Sequence, residues 1–529
     1  MGKFRRKDSQ VQQQELWLRP QELVMGPQDG FYTKLSAVLA KLGFTESVHA
    51  VCADYYKTGS SNGGRPPVDP AVMFKMLIVG FLEGIGSERG IAARCADSLT
   101  IRRFLGYQLT EQTPEHSSFT VFRQRLPQEV FDAVHGLILK GLREHGLLKG
   151  KHLGIDSSVM EANASLGGLA SRNTEQSYWD YVKKLALEEG VDVEDAAAVA
   201  RFDRKRKGRT TSNQDWYNPH DPDAKVGRTK KGACDMLHKP EHIVDLESGA
   251  IVAAQVLAGD AGDTQGLADR VRGAVETLEG MEGEPPVEGA SSVRSLTADK
   301  GYHDIVELAQ IQEQCGLRTV VGDAQADRRR KDKLEPEALQ ALNKAARAVR
   351  SKSGKALLKA RGEHIERGFA HVLDSGGLRR TTLRGREKIN KRYLCGIIAF
   401  NLCLIMRKLT GWGTPKQTAA AARGFLAWIW DIRDAWGALF TQLALRTAQR
   451  FYGPTTLRSI SCEGRFFENE LVFQQALSRR AAGSVKAANY WISFHSSTSF
   501  KCQSSHVPPF VVPLKCMNAP LPPPPNGIS

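Results

Sequence analysis

Asp156 and Asp299 each end a short apolar and small-residue run, LGID and SLTAD, and each is followed by small or polar residues, Ser157-Ser158 and Lys300-Gly301. Runs of this kind read as strands, so both carboxylates are predicted near strand C-terminal ends. If the two strands are parallel neighbours, both side chains project from one edge of the sheet, where open α/β proteins place ligands. Two close carboxylates repel unless they are protonated or bridged by a cation. Mg²⁺ suits such a pair, because it keeps several waters and takes one or two protein carboxylates together with substrate phosphate oxygens. Either aspartate alone also reads as a cap or turn residue. A third carboxylate is expected from a helix beside the sheet. The segment RGEHIERGFAHVLDSGGLRRTTLRGREKINKR offers Glu363, Glu366 and Glu387, of which we select Glu366. Among so many arginines it also reads as a surface ion pair worth under about 1 kcal/mol.

Other groups carry less chemistry. His220, His238 and His242 share a region, but their spacings fit no zinc pattern, and we read them as structural. Asp221, Asp223 and Asp245 could reach the same edge but receive no role. Trp216 could stack on an unpaired base, although an aromatic in a loop is more often packing. No Ser/His/Asp or Cys/His signature is present. Nine scattered cysteines without a C-x-x-C pair support neither a zinc ribbon nor a disulfide framework.

The elements that must position the acidic residues follow from breakers and periodicity. Residues 1–66 are read as an N-terminal segment and linker, the breaker KTGSSNGGRPPVDP beginning at Lys57. Residues 67–150 form helical runs, with Ser87 as an N-cap and Pro127 in a first turn. The module carries Arg89, Arg94, Arg102, Arg103, Arg123 and Arg125 and could set a helix in a DNA groove. It reads equally as a packing domain. From Lys151 the pattern predicts a strand at KHLGIDSSVMEA, a polar insertion over about 163–233, and a hairpin turning at Ser248-Gly249. A helix, the strand ending at Asp299, a helix, the strand RTVVGD and basic helices follow. That order is α/β, one mixed sheet covered on both faces and preceded by an all-α domain. Residues 414–457 are predicted to form one or two amphipathic helices, and the Ser- and Pro-rich tail 458–529 is predicted to lack structure.

The 529 residues are 41% hydrophobic and 25% charged, which excludes fibrous and wholly disordered classes. The longest apolar stretches are interrupted by Lys75 and Asn401, so no membrane span is predicted. The N-terminus has no apolar h-region of a secretory signal. The net charge is +15, and residues 328–408 alone hold 22 Lys/Arg against 7 Asp/Glu, a surplus equal to that of the whole chain. Such concentration is the footprint of a polyanionic partner, although a solvated basic helix face gives the same signal.

The blocks GIDSSVMEANAS, DPDA, EHIVDLESGAIVAAQV, GDAGDT, TADKGYHD, ERGFAH, GGLRRTTLRGREKINKR and NLCLIMRKLTGWGTP together resemble insertion-sequence transposases with an Asp-Asp-Glu triad. RPPVDPAVMFKMLIVGFLEG to FRQRL resembles their N-terminal domain. The resemblance spans roughly residues 15 to 415 and implies an RNase H-like catalytic core over 151–413. In it Asp156, Asp299 and Glu366 would hold two Mg²⁺ or Mn²⁺ ions about 3.5 to 4 Å apart, one activating the attacking water or 3′-hydroxyl and the other stabilising the leaving oxygen. It further implies cleavage at terminal inverted repeats, joining to target DNA, a homodimer or larger synaptic complex, and a bacterial, cytoplasmic, nucleoid-associated setting. Arg361, Arg379, Arg380, Arg384, Lys388, Lys391 and Arg392 are expected to contact DNA phosphates. The chain departs from the Tyr, Arg, Glu, Lys signature of related transposases. Leu373 stands at the lysine position, Arg361 lies one residue farther from Glu366, and no tyrosine is in register. A nuclease without strand transfer and an inactive DNA-binding relic are the alternatives.

Overall fold

The computed structural model describes residues 29–56, 67–207, 212–229, 232–281, 293–326 and 335–461. Helices come first: α1 (Asp29–Lys41), α2 (Phe44–Cys52), α3 (Pro70–Glu83), α4 (Glu88–Asp97), α5 (Leu99–Leu105), α6 (His116–Arg125) and α7 (Gln128–Glu144). Their starts are written in the sequence. The Asp69 carboxylate accepts from Ala71 N at 2.8 Å ahead of Pro70, and Ser87 Oγ accepts from Gly90 N at 3.1 Å. In α7, Val130, Phe131, Val134, Ile138, Leu139 and Leu142 recur at three- and four-residue spacing and are all buried.

The sheet comprises β1 (His152–Ser157), β2 (Met160–Glu161), β5 (Lys225–Arg228), β6 (Cys234–Asp245), β7 (Ile251–Ala258), β8 (Ser295–Ala298) and β9 (Arg318–Val321), while β3 (Ala170–Ser171) and β4 (Trp216–Tyr217) pair separately. Across its centre the order is β7-β6-β1-β8-β9. β6 runs antiparallel to both β7 and β1, while β8 lies parallel to β1 and β9 parallel to β8. A hairpin extended by two parallel strands on the far side of the first strand is the RNase H-like order. The predicted mixed α/β class is therefore observed. Helices α10 (Leu267–Glu279), α11 (Ile305–Gln314), α12 (Pro336–Arg350) and α13 (Lys352–Phe369) connect and cover the strands.

Helix α14 (Arg386–Thr410) changes the domain picture. It packs against α7 and α3 on one side and β7 on the other. One continuous core therefore runs from Phe31 through Phe131 and Ile398 to Leu296. Each fully buried Leu, Ile, Phe or Met in it contributes about 1.5–3 kcal/mol. The interrupting Asn401 is satisfied there: its Oδ1 accepts from Ile251 N at 3.1 Å and its Nδ2 donates to Ile251 O at 2.9 Å. The boundaries expected at 66 and 150 are thus boundaries of chain order rather than packing. Helices α1 and α2 already join α3, α5 and α7, and α14 is shared by helices and sheet. By length and composition α14 could cross a membrane, but most of it is buried inside this core.

The insertion expected over 163–233 contains α8 (Tyr178–Glu188), α9 (Ala196–Lys205) and a small core of its own around Tyr178, Val182, Val199 and Trp216. Trp216 is packed there between Tyr178 and Tyr181, in keeping with the packing reading. Beyond the core, α15 (Pro415–Ser461) is a single 47-residue helix, with Trp430, Ile432, Trp436 and Phe440 exposed. Of the tail predicted to lack structure, residues 462–529 lie outside the described residues.

Candidate active site

Strand β1 alternates its side chains, so Gly154 and Asp156 share one face while the buried Leu153 and Ile155 share the other. Helix α13 lies over the Gly154 face. A Cβ at Gly154 would come within 2.5 Å of Leu246 Cδ2, 3.2 Å of Ile365 Cδ1 and 3.3 Å of Arg361 Cγ. The missing side chain is what lets the helix and the arginine stem settle onto the strand. Asp299 follows β8, and Gly154 pairs with Thr297, so the same register carried on two residues sets Asp299 beside Asp156. The two aspartates picked out in the sequence are neighbours at one sheet edge.

Their oxygens are used alike. Asp156 Oδ1 accepts from Ser157 N at 2.8 Å and Asp299 Oδ1 accepts from Gly301 N at 2.8 Å. Both Oδ2 atoms face Nη2 of Arg361, at 2.6 Å and 3.8 Å respectively. Burial raises the Asp156 carboxyl to about 6, against the pull of Arg361 and of Ser157 N–H, with Asp299 and Asp263 pushing further upward. The guanidinium bridges two carboxylates that could not otherwise both ionise cheaply.

Asp263, in the block GDAGDT, lies beside them. Its Oδ1 accepts from Ser157 Oγ at 3.0 Å and lies 2.6 Å from Lys239 Nζ, and its Oδ2 borders the same Gly301 as Asp299 Oδ1. Beneath this edge is buried Glu241, ion-paired to Arg270 at 2.7 Å and accepting from Tyr302 Oη at 3.1 Å. Burial raises its carboxyl, and Arg270 and Tyr302 oppose that rise. Tyr302 thereby braces the turn that carries Asp299. Neither Asp263 nor Glu241 had a legible signal, since a carboxylate beside a strand end is ordinary turn composition.

Glu366 stands apart. His364 leans on Gly249, in the hairpin turn beside the start of β1, and Glu366 is about 200° farther round α13, on the other flank of the helix. Phe369 on that flank stacks at 4.1 Å on His242, the partner of Asp156 across the sheet. The Glu366 carboxylate is exposed and makes no ion pair with a described residue. Glu363 is paired with Arg367 at 2.7 Å, and Glu387 with Lys391 at 2.5 Å. Among the described residues no three His, Cys, Asp or Glu side chains meet closely enough to hold a metal ion. The donor set that does meet, two carboxylates of one register around a cationic group, fits Mg²⁺, which takes few protein ligands.

Two of the basic candidates require correction. Lys391 is buried, donating to Arg123 O at 3.2 Å, and Arg392 is buried, with Nη2 3.4 Å from Ile85 O. Both sit where α14 enters the core and are closed to DNA. Charge density alone could not tell which turn of the helix would be inside. Arg361 is held among carboxylates rather than on an outer surface. Arg379 pairs with Asp374 at 2.8 Å and donates to Val159 O at 3.0 Å, tying its loop to the segment after β1. Arg380, Arg384 and Lys388 are exposed. In the helical module Arg102 and Arg123 are buried, the first on the carbonyls of Gln108 and Leu109 and the second on Glu88. Leu373 is fully buried in the π-helical turn Ala370–Ser375.

His238 and His242 are both buried and each faces a buried polar partner. His238 pairs with Asp221 at 3.1 Å, both fully buried, and His242 lies 2.5 Å from Tyr393 Oη, with burial lowering its pKa to about 3. Asp221 and Asp223 accept from Gly385 N and Arg386 N at 3.1 and 2.8 Å, carboxylates at the start of α14 where the helix dipole favours them.

Residues 23–125 match a family model described as a transposase domain (DUF772). Residues 292–406, which include Asp299, Arg361 and Glu366, match a transposase DDE domain. No curated protein and no solved structure matches the chain.

Proposed function

We propose that this chain, which matches a transposase domain over residues 23–125 and a transposase DDE domain over residues 292–406, is an insertion-sequence transposase of the Asp-Asp-Glu type that cleaves the ends of its element and joins them to target DNA at the sheet edge formed by Asp156 and Asp299. The observation that carries this reading is the sharing of one Arg361 nitrogen by the Oδ2 atoms of both aspartates. Two carboxylates brought into register by neighbouring parallel strands need a cation between them, and a phosphodiester supplies the remaining oxygens.

Asp156 and Asp299 are the residues that would hold divalent ions, Mg²⁺ or Mn²⁺, each presenting Oδ2 while Oδ1 stays fixed on a backbone N–H. Bound there, two such ions supply an activated attacking oxygen and charge stabilisation at the leaving oxygen. Glu366, exposed on α13, is the third carboxylate of this reading. Exposed Arg380, Arg384 and Lys388 hold phosphates and position the DNA without reading its sequence. Because two element ends must be cut and joined together, the active form is a dimer or larger complex. A mass measurement showing one protein copy per pair of ends would remove that statement.

The test is cleavage of end-bearing DNA with Mg²⁺ or Mn²⁺ by the parent, Asp156→Ala, Asp299→Ala and Glu366→Ala. All three variants are expected to keep DNA binding and lose cutting. Full cutting by either aspartate variant would end the proposal. A pre-cleaved end offered to the parent separates transposition from simple hydrolysis, since a nuclease yields no joined product.

A further inference from the structure

We propose that Arg361 is an internal counter-ion that keeps the Asp156–Asp299 pair closed until divalent ions displace it, so that ion binding is a competition with this guanidinium. The inference rests on the active-site reading above and goes further by giving the arginine a positioning role.

Three observations carry it. First, one nitrogen serves both carboxylates, Nη2 at 2.6 Å from Asp156 and 3.8 Å from Asp299, and so occupies the space between the two oxygens that ions would use. Second, that nitrogen is buried, yet its N–H bonds are aligned on no acceptor, and Nε reaches only Ile155 O, at 3.5 Å. The contact is held by charge without the directional bonds that fix Arg123 on Glu88 or Arg102 on backbone carbonyls. A close but misaligned pair loses little when it opens. Third, the path is built for it: Gly154 offers no side chain against the Arg361 stem, and a Cβ there would press on Cγ at 3.3 Å. The carboxylates also have other neighbours in place. Asp263 stands on Ser157 and beside Gly301 with Lys239 at 2.6 Å, so the edge stays acidic once the guanidinium leaves.

A resident positive charge between two ligands disfavours a divalent cation and at the same time stabilises the ion-free fold. Removing it therefore moves the two properties in opposite directions, which loss of a merely structural arginine would not do. The experiment measures Mn²⁺ binding to the full chain by electron paramagnetic resonance, together with thermal melting, for the parent, Arg361→Gln, Arg361→Lys and Asp156→Ala. Arg361→Gln is expected to bind Mn²⁺ about tenfold more tightly than the parent and to melt lower without ions, with added Mn²⁺ closing the gap. Arg361→Lys, whose single nitrogen is too short to serve both carboxylates, is expected to fall between them. Binding in both variants equal to or weaker than in the parent overturns the inference. If Arg361→Gln gives no cooperative melt, the comparison of Arg361→Lys with the parent decides alone. Asp156→Ala separates the two claims. If it removes Mn²⁺ binding but the Arg361 variants show no gain, the counter-ion role fails and the active-site reading stands. If the parent shows no Mn²⁺ binding that Asp156→Ala removes, both fall.

Discussion

The sheet edge and the seam where α14 meets α4, α6 and the end of α3 both bury arginine, with opposite results. In the seam Arg123 donates to both oxygens of Glu88, Lys391 reaches Arg123 O, and Arg392 lies against Ile85 O. Those partners are backbone carbonyls and a carboxylate already committed to the fold. At the edge, Arg361 faces two carboxylates that each keep one oxygen in reserve. The difference lies in the partners: the seam sets its charges against backbone carbonyls and one paired carboxylate, the edge sets one guanidinium against two carboxylates.

Asp156→Ala or Asp299→Ala should break the comparison most sharply, lowering end cleavage by about 10³-fold or more while the protein still melts cooperatively. Retained cutting would mean the edge is no more chemical than the seam. On the seam side, Arg123→Ala strands Glu88 and is expected to cost about 3–5 kcal/mol, read by denaturant unfolding. The folded fraction should still cut DNA at the parent rate. Gly154→Ala should cost about 1–3 kcal/mol, because its new methyl presses on Leu246 and Ile365. The matching change at half-buried Gly136, where a Cβ meets nothing within 4 Å, should cost no stability in a parallel melt.

Smaller effects sharpen the contrast. Replacing exposed Arg380, Arg384 and Lys388 together by alanine should weaken DNA binding and reduce the slope of log K against log salt by about 2–3, measured by fluorescence anisotropy. Replacing buried Lys391 should leave that slope unchanged in folded protein. Burial raises the Asp156 carboxyl from 3.8 to about 6. Its protonated form is therefore favoured by folding, and its contribution to stability is complete below about pH 3.8 and lost as the pH rises through about 6. Melting followed across that interval should show the fall, and Asp156→Asn should flatten it.

Much of the site was legible because its signals are local. LGID and SLTAD end in aspartates as strands entering an edge do, and the hairpin turn at Ser248-Gly249 lies where β6 gives way to β7, with Gly249 at φ 78°. The insertion was read only as a polar stretch; its own small core was not legible, since Tyr178, Val182, Val199 and Trp216 are too widely spaced to show a period and form a core only after folding. Nor was the sharing of α14. Its apolar residues surround the helix instead of marking one face, and so name no partner.

The sequence by itself determined the mixed α/β order, the strand ends that carry Asp156 and Asp299, and the concentration of basic residues around Glu366. These depend on backbone preference and on neighbours within a few positions, which a chain states directly. Only the tertiary structure decided that Arg361 stands between the two aspartates, that Asp263 and Glu241 join the edge, and that Lys391 and Arg392 are sealed inside. Those outcomes depend on which distant element covers a given face, and a positive charge carries the same formal value in the sequence whether water, a carbonyl or a carboxylate comes to lie against it.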